Sequence, residues 1–580
     1  MRHHQRGELT RAKSLYQAVL KATPNHFDAL HLSGVIEAQM HDPRSAVEKI
    51  RKALAADPRN AAAYGAFSNM GLALTQLGEF ETALAAFDRS IALKADHAET
   101  HCRRGDVLRA LHQPYPALAS YQQALALKTD YLAAHGNCGV VLCELEQWEA
   151  AIACFDRAIA IRPDCAEAYM NRGNALLELR QWAAALESYD RAIAIKPDFA
   201  EAYSNRGIAL KELRHWDAAL ASTAQAIAIR PAYASAHLNR GAVHHALRQF
   251  EAARDCFDQA IAISADYAEA HADKGVLSLQ HGDFATGWGE YEWRWKSRRG
   301  SNIREKRNFP QPLWLGDDLL AGKTILLHAE QGLGDTLQFC RYAKSVAALQ
   351  ATVILEVQAP LAGLLSNLDG VSRLVVKGDP LPDFDCQCPL LSLPLAFRTN
   401  LSSIPSAPRY LTSDTTKRTH WEAQLGPAER PRIGLVWSGG TLHRDDHHRS
   451  IPLAELFEAL PTGFEYVSLQ KEVRDRDTPF LRAAPHLRHF ADQLFDFTDT
   501  AALCDCLDLI ISVDTSVAHL SAALGRKTWM LLPFNSDWRW LLNRNDTPWY
   551  PSMTLYRQTQ AGGWSEVLTR LRKDLEARAR

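Results

Sequence analysis

The side chains best suited to chemistry lie in three loops, each of which follows an apolar run typical of a β-strand. The first loop, residues 329–339 (AEQGLGDTLQF), leads from such a run into a predicted helix. Gly332 and Gly334 permit a tight turn and let the backbone approach a ligand closely. Asp335 supplies a carboxylate that could take a proton from a hydroxyl group. The alternative is purely local, because Asp335 and Gln338 form a D-x-x-Q capping box for the helix.

The second loop, residues 438–452 (SGGTLHRDDHHRSIP), is predicted to bind an anion. Ser438 and Gly439 begin it, and Arg449 near its end would offset negative charge on a departing group. The same loop offers side chains for a metal ion, at His443, Asp445, Asp446, His447 and His448. We predict no metal there, because arginines lie among these residues and adjacent loop residues seldom point at one centre.

The third loop, residues 512–525 (SVDTSVAHLSAALG), runs from a strand into a helix rich in small residues. The free N–H groups and positive dipole end of such a helix suit a diphosphate, and the hydroxyls of Thr515 and Ser516 could add donors. Asp514 completes the group, although Asp, Thr and Ser are all good helix caps as well. Lys471, which follows another predicted strand, would also offset charge on the diphosphate.

These loops belong to the second half of the chain, because the first half is a repeat array. Glycines recur every 34 residues, at Gly71, Gly105, Gly139, Gly173, Gly207, Gly241 and Gly275. Alanine follows twelve residues after most of them, and four residues later there is usually an aromatic side chain. Small residues at fixed positions let paired helices approach, so the period predicts a tetratricopeptide superhelix over residues 1–295. The aromatic and basic segment 288–299 is predicted to cover its open end.

Asparagines in the array are predicted to hold a partner. They lie two residues before the repeat glycine, where the first helix of each pair is expected to line a groove, at Asn137, Asn171, Asn205 and Asn239. A row of side-chain amides can donate to and accept from the backbone of an extended peptide or protein segment. The alternative is that each asparagine only bridges neighbouring helices.

From about residue 302 onward, short apolar runs alternate with helical segments. Strands are predicted at 324–327, 352–357, 373–376, 432–437, 466–469, 507–513 and 528–532, and helices at 337–349 and 565–578. This alternation indicates βαβ units and parallel sheets, and therefore an α/β fold. We expect a linker at 296–320 and two Rossmann-like lobes at 321–415 and 430–580. The three loops would then face one cleft at the carboxyl ends of both sheets.

Composition narrows the functional classes. A net charge of -2 over 580 residues argues against a protein held to nucleic acid by phosphate attraction. The start of the chain lacks the apolar core of a signal peptide, and no window approaches the ~18 consecutive apolar residues of a membrane helix. The eleven cysteines show no spacing typical of zinc. We therefore expect a cytoplasmic protein with reduced thiols, no transmembrane segment and no nucleic-acid partner.

The three loops resemble glycosyltransferase family 9, the bacterial heptosyltransferases, over roughly residues 323–551. The Gly-Asp pair at 334–335 matches a turn near the start of that family's catalytic unit. The run DTSVAH at 514–519 resembles its D-T-G-x-x-H pattern, which contacts the donor diphosphate. Arg449 takes the place of a lysine that the family has in its middle loop.

The resemblance implies a two-lobed GT-B fold and a metal-independent, inverting transfer from a nucleotide-diphospho-sugar, which is a substrate and leaves no separate cofactor. Asp335 would be the base for the acceptor hydroxyl, and His519 would join the donor site. Ser516 and Arg449 depart from the family's glycine and lysine, so a heptose donor is not implied. The layout is also similar to O-linked N-acetylglucosamine transferase, whose superhelix has a similar asparagine ladder, and the repeats of this chain would recruit the acceptor. The alternative is a non-catalytic adaptor whose α/β half is a degenerate nucleotide-binding domain.

Overall fold

The structure is a computed structural model that describes residues 2–297, 306–440 and 446–579. It divides into two compact units, Met1–Val243 and His244–Arg580. His443 and Asp445 of the proposed metal cluster lie outside the described residues, as do residues 298 and 299 of the aromatic and basic segment. Within the described ranges, no helix combines the length and apolar character needed to cross a membrane.

The first unit is a solenoid of paired helices, which confirms the repeat prediction. The helices are Arg2–Gln5, Leu9–Ala22, Phe27–Gln39, Pro43–Ala56, Ala63–Gln76, Phe80–Leu93, Ala98–Ala110, Pro114–Leu127, Leu132–Glu144, Trp148–Ile161, Ala166–Glu178, Trp182–Ile195, Ala200–Glu212, Trp216–Ile229 and Ala234–Ala246. In several pairs, the second helix begins with Trp or Phe and ends one residue before Lys or Arg. Small hydrophobic clusters follow one another along the array, as expected where each repeat packs only on its neighbours.

The repeat glycine is explained by its close contact with the aromatic ring sixteen residues later. A Cβ atom built on Gly139 would lie 2.6 Å from the ring of Phe155, and one on Gly173 would lie 2.6 Å from the ring of Tyr189. Both rings are fully buried. The two helices of a pair therefore approach each other at a distance that no larger residue permits.

Partly exposed arginine ladders, which the sequence analysis did not predict, join neighbouring helix pairs. Arg172 donates from Nε to Asp156 at 2.6 Å and from Nη1 to Ser188 at 2.7 Å. The same bridge recurs at Arg104 and Arg206, each with an aspartate sixteen residues before it and a serine sixteen residues after it. Each guanidinium therefore links the second helix of one pair to the second helix of the next pair.

The second unit begins with further repeat helices, Phe250–Ile263, Ala268–Gln280 and Phe284–Tyr291, followed by a 3-10 turn at Glu292–Trp295. Trp288 is buried and donates from Nε1 to the carbonyl of Thr399 at 2.8 Å. It shares a hydrophobic core with the first parallel sheet. The end of the array is thus covered by the α/β region, in keeping with the covering role predicted for this segment.

The first lobe contains four parallel strands, β1 (Thr324–His328), β2 (Thr352–Val357), β3 (Arg373–Val376) and β4 (Cys386–Pro389), in the order β3-β2-β1-β4. In register, Leu326 lies beside Ile354 and Gln387. Its helices are Leu333–Phe339, Ala343–Ala347, Ala362–Leu365 and Leu393–Ala396, with 3-10 turns at Cys340–Tyr342, Ala359–Leu361 and Leu390–Ser392.

The second lobe contains six parallel strands, β5 (Arg432–Val436), β6 (Glu465–Ser468), β7 (Leu487–His489), β8 (Leu509–Val513), β9 (Thr528–Leu532) and β10 (Met553–Arg557). Their order is β10-β9-β8-β5-β6-β7, the Rossmann arrangement. The helices are Thr415–Leu425, Asp446–Arg449, Leu453–Glu458, Thr478–Ala483, Phe497–Asp505, Ser516–Ala523 and Ser565–Ala579, with 3-10 turns at Ala491–Gln493 and Trp538–Trp540. The last helix buries Leu568, Leu571 and Leu575 in this lobe's own core.

All seven predicted strands are present, and the α/β prediction is confirmed. Three further strands, β4, β7 and β10, were not predicted. The helix expected at 337–349 instead starts at Leu333, gives way to a 3-10 turn at Cys340–Tyr342 and resumes at Ala343–Ala347. Its earlier start matters for the site, because it places Asp335 inside the first turn.

Two glycines on one repeat helix allow a matched test of the packing. Gly139→Ala should destabilise the protein by about 1–3 kcal/mol, because its methyl group would overlap the buried ring of Phe155. Gly136→Ala, on the same helix with open space around the new methyl group, should stabilise it by about 0.5–1 kcal/mol. Urea unfolding of the two variants and the wild type measures both. Equal stability of the two variants would show that a methyl group at position 139 fits beside the ring of Phe155.

Candidate functional site

The strand order changes direction next to β1 in the first lobe and next to β5 in the second. β1 lies between β2 and β4, and β5 lies between β6 and β8. Loops at the carboxyl ends of the strands that flank such a point form the usual ligand crevice of an open α/β sheet. The three loops singled out in the sequence follow β1, β5 and β8, so they lie at these two crevices.

Asp335 holds two contacts that tie it to both lobes. One carboxylate oxygen, Oδ2, accepts the N–H of Gly332 at 2.8 Å, and Oδ1 accepts from Nη2 of Arg539. Gly332 is the N-cap of the helix Leu333–Phe339, and Asp335 is its third residue. The capping box proposed between Asp335 and Gln338 is not formed, because Asp335 is the third residue of the helix and not its N-cap; its carboxylate instead caps the N–H of Gly332, so it has a local capping role with a different partner.

Arg539 was missed by the sequence analysis, although it lies at the centre of the site. Besides Asp335 it binds Gln338 Oε1 through Nε, at 2.9 Å, and Asp537 Oδ1 through Nη1, also at 2.9 Å. Its guanidinium carbon lies 4.4 Å from the ring centroid of Trp538. Burial alone would lower the pKa of Arg539, but the charges of Asp537 and Asp335 raise it above its usual value. The guanidinium is thus a fixed positive charge.

The two helices that begin at the site approach each other at Gly334. A Cβ atom there would lie 2.9 Å from Cδ2 of His519, which is on the helix Ser516–Ala523 of the other lobe. His519 is buried, and its Nδ1 lies 2.9 Å from the hydroxyl of Tyr550. Burial, with the positive charges of Arg539 and other arginines, lowers the pKa of His519 well below its usual value. The imidazole is therefore neutral at pH 7.

Asp514 follows β8 and faces the same region. Its Oδ2 accepts from Nε1 of Trp540 at 2.8 Å, and its side chain is 17% exposed. Burial, together with the charge of Asp537, raises the pKa of Asp514 to about 6. Next to it, Thr515 is the N-cap and Ser516 the first residue of the following helix. Neither residue's side chain caps that helix, so the local capping alternative does not account for them.

Arg449 links the second loop to the third, because its Nη1 donates to the carbonyl of Asp514 at 2.8 Å and its Nε to Asp446 at 3.2 Å. A Cβ atom on Gly439 would lie 2.4 Å from the side-chain ends of both Arg449 and Asp446, so a larger residue there would displace these two side chains. Ser438 is buried, and its Oγ has no hydrogen-bond partner in the described part of the chain. That unsatisfied hydroxyl lies at the carboxyl end of β5, where a ligand could use it.

Lys471 and Asp446, two further residues singled out in the sequence, differ in their contacts. Lys471 is exposed and donates from Nζ to the carbonyl of Phe495 at 2.9 Å. Asp446, a member of the alternative metal cluster, is buried and bonded to Arg449 and Ser450 and paired with Arg474. Its carboxylate is therefore engaged by arginines.

Three of the four predicted asparagines of the array bridge neighbouring helices, as the alternative interpretation held. The bonds run from Asn137 to Asp106 at 2.7 Å, from Asn205 to Asn174 at 2.8 Å and from Asn239 to Ser204 Oγ at 2.8 Å. Each bond uses the amide nitrogen, and Asn239 is buried. Asn171 is partly exposed. Peptide binding by these four residues stays a prediction.

Comparisons with known proteins identify the first half. Models of the tetratricopeptide repeat match residues 3–61, 34–98, 141–204 and 204–268. The chain is 26% identical to Protein FlbA of Caulobacter vibrioides over 322 residues, which is 51% of this chain and 53% of FlbA, so the match spans about half of that relative. Among solved structures, YrrB, described as a TPR protein with an unusual peptide-binding site, is 27% identical over 33% of this chain and 98% of its own, with a TM-score of 0.28.

A second solved structure, MamA, is 25% identical over 28% of this chain and 95% of its own, with a TM-score of 0.27. The first half of the chain is thus composed of tetratricopeptide repeats, a class of scaffold for protein contacts. The matched relative and these structures define nothing further about the α/β half.

Asp514 should make stability depend on pH. Its pKa is raised from 3.8 to about 6 on folding, so the proton that the folded state favours is lost as pH rises through this window. The ionised carboxylate then costs the folded state about 3 kcal/mol above pH 6 and little below pH 4. Asp514→Asn keeps an acceptor for Trp540, and its stability advantage over wild type should grow by about 1–2 kcal/mol from pH 5 to pH 8. Denaturant midpoints across pH measure this.

The exposed carboxylate of Asp379 in the first lobe supplies the control for that experiment. Asp379→Asn should track the wild type at every pH. An advantage of Asp514→Asn that stays constant with pH would contradict the raised pKa of Asp514.

Proposed function

We propose that this chain is a metal-independent, inverting glycosyltransferase that moves a sugar from a nucleotide-diphospho-sugar to an acceptor hydroxyl. The observation that carries the proposal is the meeting of Asp335, from the first lobe's crevice, with Arg539 and His519 of the second lobe. A carboxylate, fixed positive charges and a helix start at the carboxyl ends of two sheets suit a hydroxyl on one side and a diphosphate on the other.

In this proposal each group has a chemical role. Asp335 accepts the proton of the attacking hydroxyl, a role worth about 10²–10⁴ in rate. Arg449 and Arg539 offset the charge that builds on the diphosphate as the bond to the sugar breaks. Thr515 and Ser516 add hydroxyl and N–H donors at the start of a helix whose dipole favours an anion.

The role of base requires that Asp335 accept a proton while it is paired with Arg539. A donor diphosphate beside Arg539 would compete for its N–H groups and weaken that pair, so donor binding would prepare the carboxylate. Before the donor binds, the ion pair keeps the carboxylate of Asp335 oriented. The repeats would recruit the acceptor, a protein or peptide, in keeping with the scaffold role of tetratricopeptide arrays.

The rival function is a scaffold with no chemistry of its own, in which the α/β half binds a nucleotide or nothing. The engagement of Asp335 by Arg539 is the observation that favours it, because a stable ion pair can serve structure alone. The two functions differ in one measurable respect, the turnover of a nucleotide-sugar.

Asp335→Asn tests that difference. The purified full-length protein is incubated with a panel of uridine, guanosine, adenosine and thymidine diphospho-sugars and a lysate-derived acceptor fraction, and release of nucleoside diphosphate is followed. With the correct donor we expect wild-type release to fall by about 10²–10⁴ in Asp335→Asn, since the amide cannot take the proton. The melting temperature should still rise with the same nucleoside diphosphate.

The control for this assay is again Asp379→Asn, whose carboxylate is exposed on the first lobe. It should release nucleoside diphosphate at the wild-type rate. If the wild type releases no more than Asp335→Asn with every donor, and no nucleotide raises its melting temperature, the transferase proposal fails and the scaffold remains.

Arg449 and Lys471 allow a matched test of donor binding, because sequence analysis assigned both to the diphosphate but their contacts differ. Arg449→Gln should weaken nucleoside-diphosphate binding by about tenfold to a hundredfold, since a charged hydrogen bond to phosphate is lost. Lys471→Gln should leave the affinity within about twofold, because Lys471 is exposed and contacts the carbonyl of Phe495, whereas Arg449 contacts the third loop at Asp514. Calorimetric titration of both variants with the nucleoside diphosphate measures the two affinities. Equal losses would place the diphosphate near Lys471.

A further inference from the structure

The loop that carries Arg539 also contacts the final repeat. We call residues 534–540, between β9 and the end of the turn Trp538–Trp540, the connecting loop. Its first residues bind helices of residues 244–297, the final repeat segment. The contacts run from Arg248 to the ring and carbonyl of Phe534, from Asn535 Nδ2 to the carbonyl of Ala246 at 2.8 Å, and from Gln280 Nε2 to the carbonyl of Ser536 at 3.1 Å.

The next residues of the connecting loop hold the site. Asp537 and Arg539 bind each other at 2.9 Å, Arg539 reaches Asp335, and Trp540 donates to Asp514. Ser536, held by Gln280, directly precedes Asp537, the first residue of this group. A displacement of the loop at Ser536 therefore cannot be absorbed before it reaches Arg539.

The first lobe repeats this arrangement. Arg294 of the final repeat segment donates to both carboxylate oxygens of Glu330, at 2.8 and 3.1 Å, and both side chains are almost fully buried. Gln331, next in the chain, donates to the hydroxyl of Tyr291 at 3.3 Å. Gly332 follows at once and binds Asp335. On both lobes, residues held by the final repeat directly precede residues of the site.

We propose that the final repeat segment is a positioning element of the site. Arg248 and Gln280 fix Arg539 through the connecting loop, and Arg294 fixes Asp335 through Glu330. The chemistry of Asp335 rests on the proposed function, but its position does not. The array would thus be coupled to the site through side chains of one repeat, in addition to any recruitment of a partner.

Hydrogen–deuterium exchange of the full chain tests the positioning without any substrate. Gln280→Met removes the bond to Ser536, together with the bond between Gln280 Oε1 and His245 Nε2 within the final repeat segment, and keeps the side-chain size. We expect the amides of 539–541 and of 332–336 to exchange about tenfold faster, because losing a buried hydrogen bond raises the population of locally open states. These amides report on the site, since those of Arg539 and Gly332 bind Asp537 and Asp335. Amides of β5 and β8 should be unchanged.

Gln259 supplies the matched control, because it lies on the helix Phe250–Ile263 of the same segment. Among the described residues, its side chain makes no hydrogen bond to the connecting loop. Gln259→Met should leave exchange at 332–336 and 539–541 as in wild type. Faster exchange that stops at 534–536 in Gln280→Met would overturn the proposal.

Arg248 gives a second variant with an internal rescue. Arg248→Ala should speed exchange at 539–541, whereas Arg248→Lys should restore most of the protection, because a lysine can also bind the carbonyl and lie over the ring of Phe534. A merely destabilised fold would exchange faster throughout, including β5 and β8. Unchanged exchange at 539–541 in Arg248→Ala would contradict a positioning role for this side chain.

A kinetic measurement then separates this proposal from the proposed function. If a donor is turned over, Gln280→Met should lower kcat by about tenfold with KM changed less, since misplacing a catalytic group affects the transition state more than the ground state. If the exchange results hold and no donor is turned over, the positioning stands and the transferase fails. If a donor is turned over and exchange is unaltered, the transferase stands and the positioning fails.

Discussion

The organisation of the site depends on the ion pair between Asp335 and Arg539. It joins residues 204 positions apart in the chain, and both side chains are largely buried. Removing two charges from water is costly, and the cost is offset here by further bonds, from Gly332 to the carboxylate and from the guanidinium to Asp537 and Gln338. Loss of Arg539 would leave the carboxylate of Asp335 without its cation, typically at a cost of about 3–5 kcal/mol, whereas loss of Asp335 would leave Arg539 paired with Asp537. The two lobes therefore meet through a contact that tolerates little change.

Much of the first half was predictable from sequence, because its contacts recur at fixed short separations. Gly139 meets Phe155 sixteen residues on, and the arginine ladders use the same spacing in both directions. A pattern that repeats every 34 residues displays such contacts many times over. The ladders were nevertheless missed, since an arginine on a helix is ordinarily assigned to solvent. The bridging role of Asn137 and Asn205 was among the alternatives considered.

The second half was predictable only where a local pattern coincides with a strand end. The loops after β1, β5 and β8 are recognisable in the sequence because glycines and polar residues follow apolar runs there. β4 (CQCP) and β7 (LRH) are too short and too polar to stand out. Arg539 could not be found from sequence, since its role comes from the tertiary approach of two lobes, although the cluster of tryptophans around it was a usable signal. Lys471 follows a strand end in the same manner as Arg449, yet its side chain turns toward Phe495.

The charges gathered at the site have a consequence for any diphosphate bound there. Among the described residues, Arg449, Arg474 and Arg539 are paired with Asp446, Asp335 and Asp537. These pairs leave no surplus positive charge of their own to meet two further negative charges, and His519 is held neutral by burial and by nearby arginines. The group able to respond is Asp514, because burial and the charge of Asp537 already raise its pKa to about 6. A nearby anion would raise that pKa further, so a diphosphate would bind together with a proton on Asp514 and bind more weakly as pH rises.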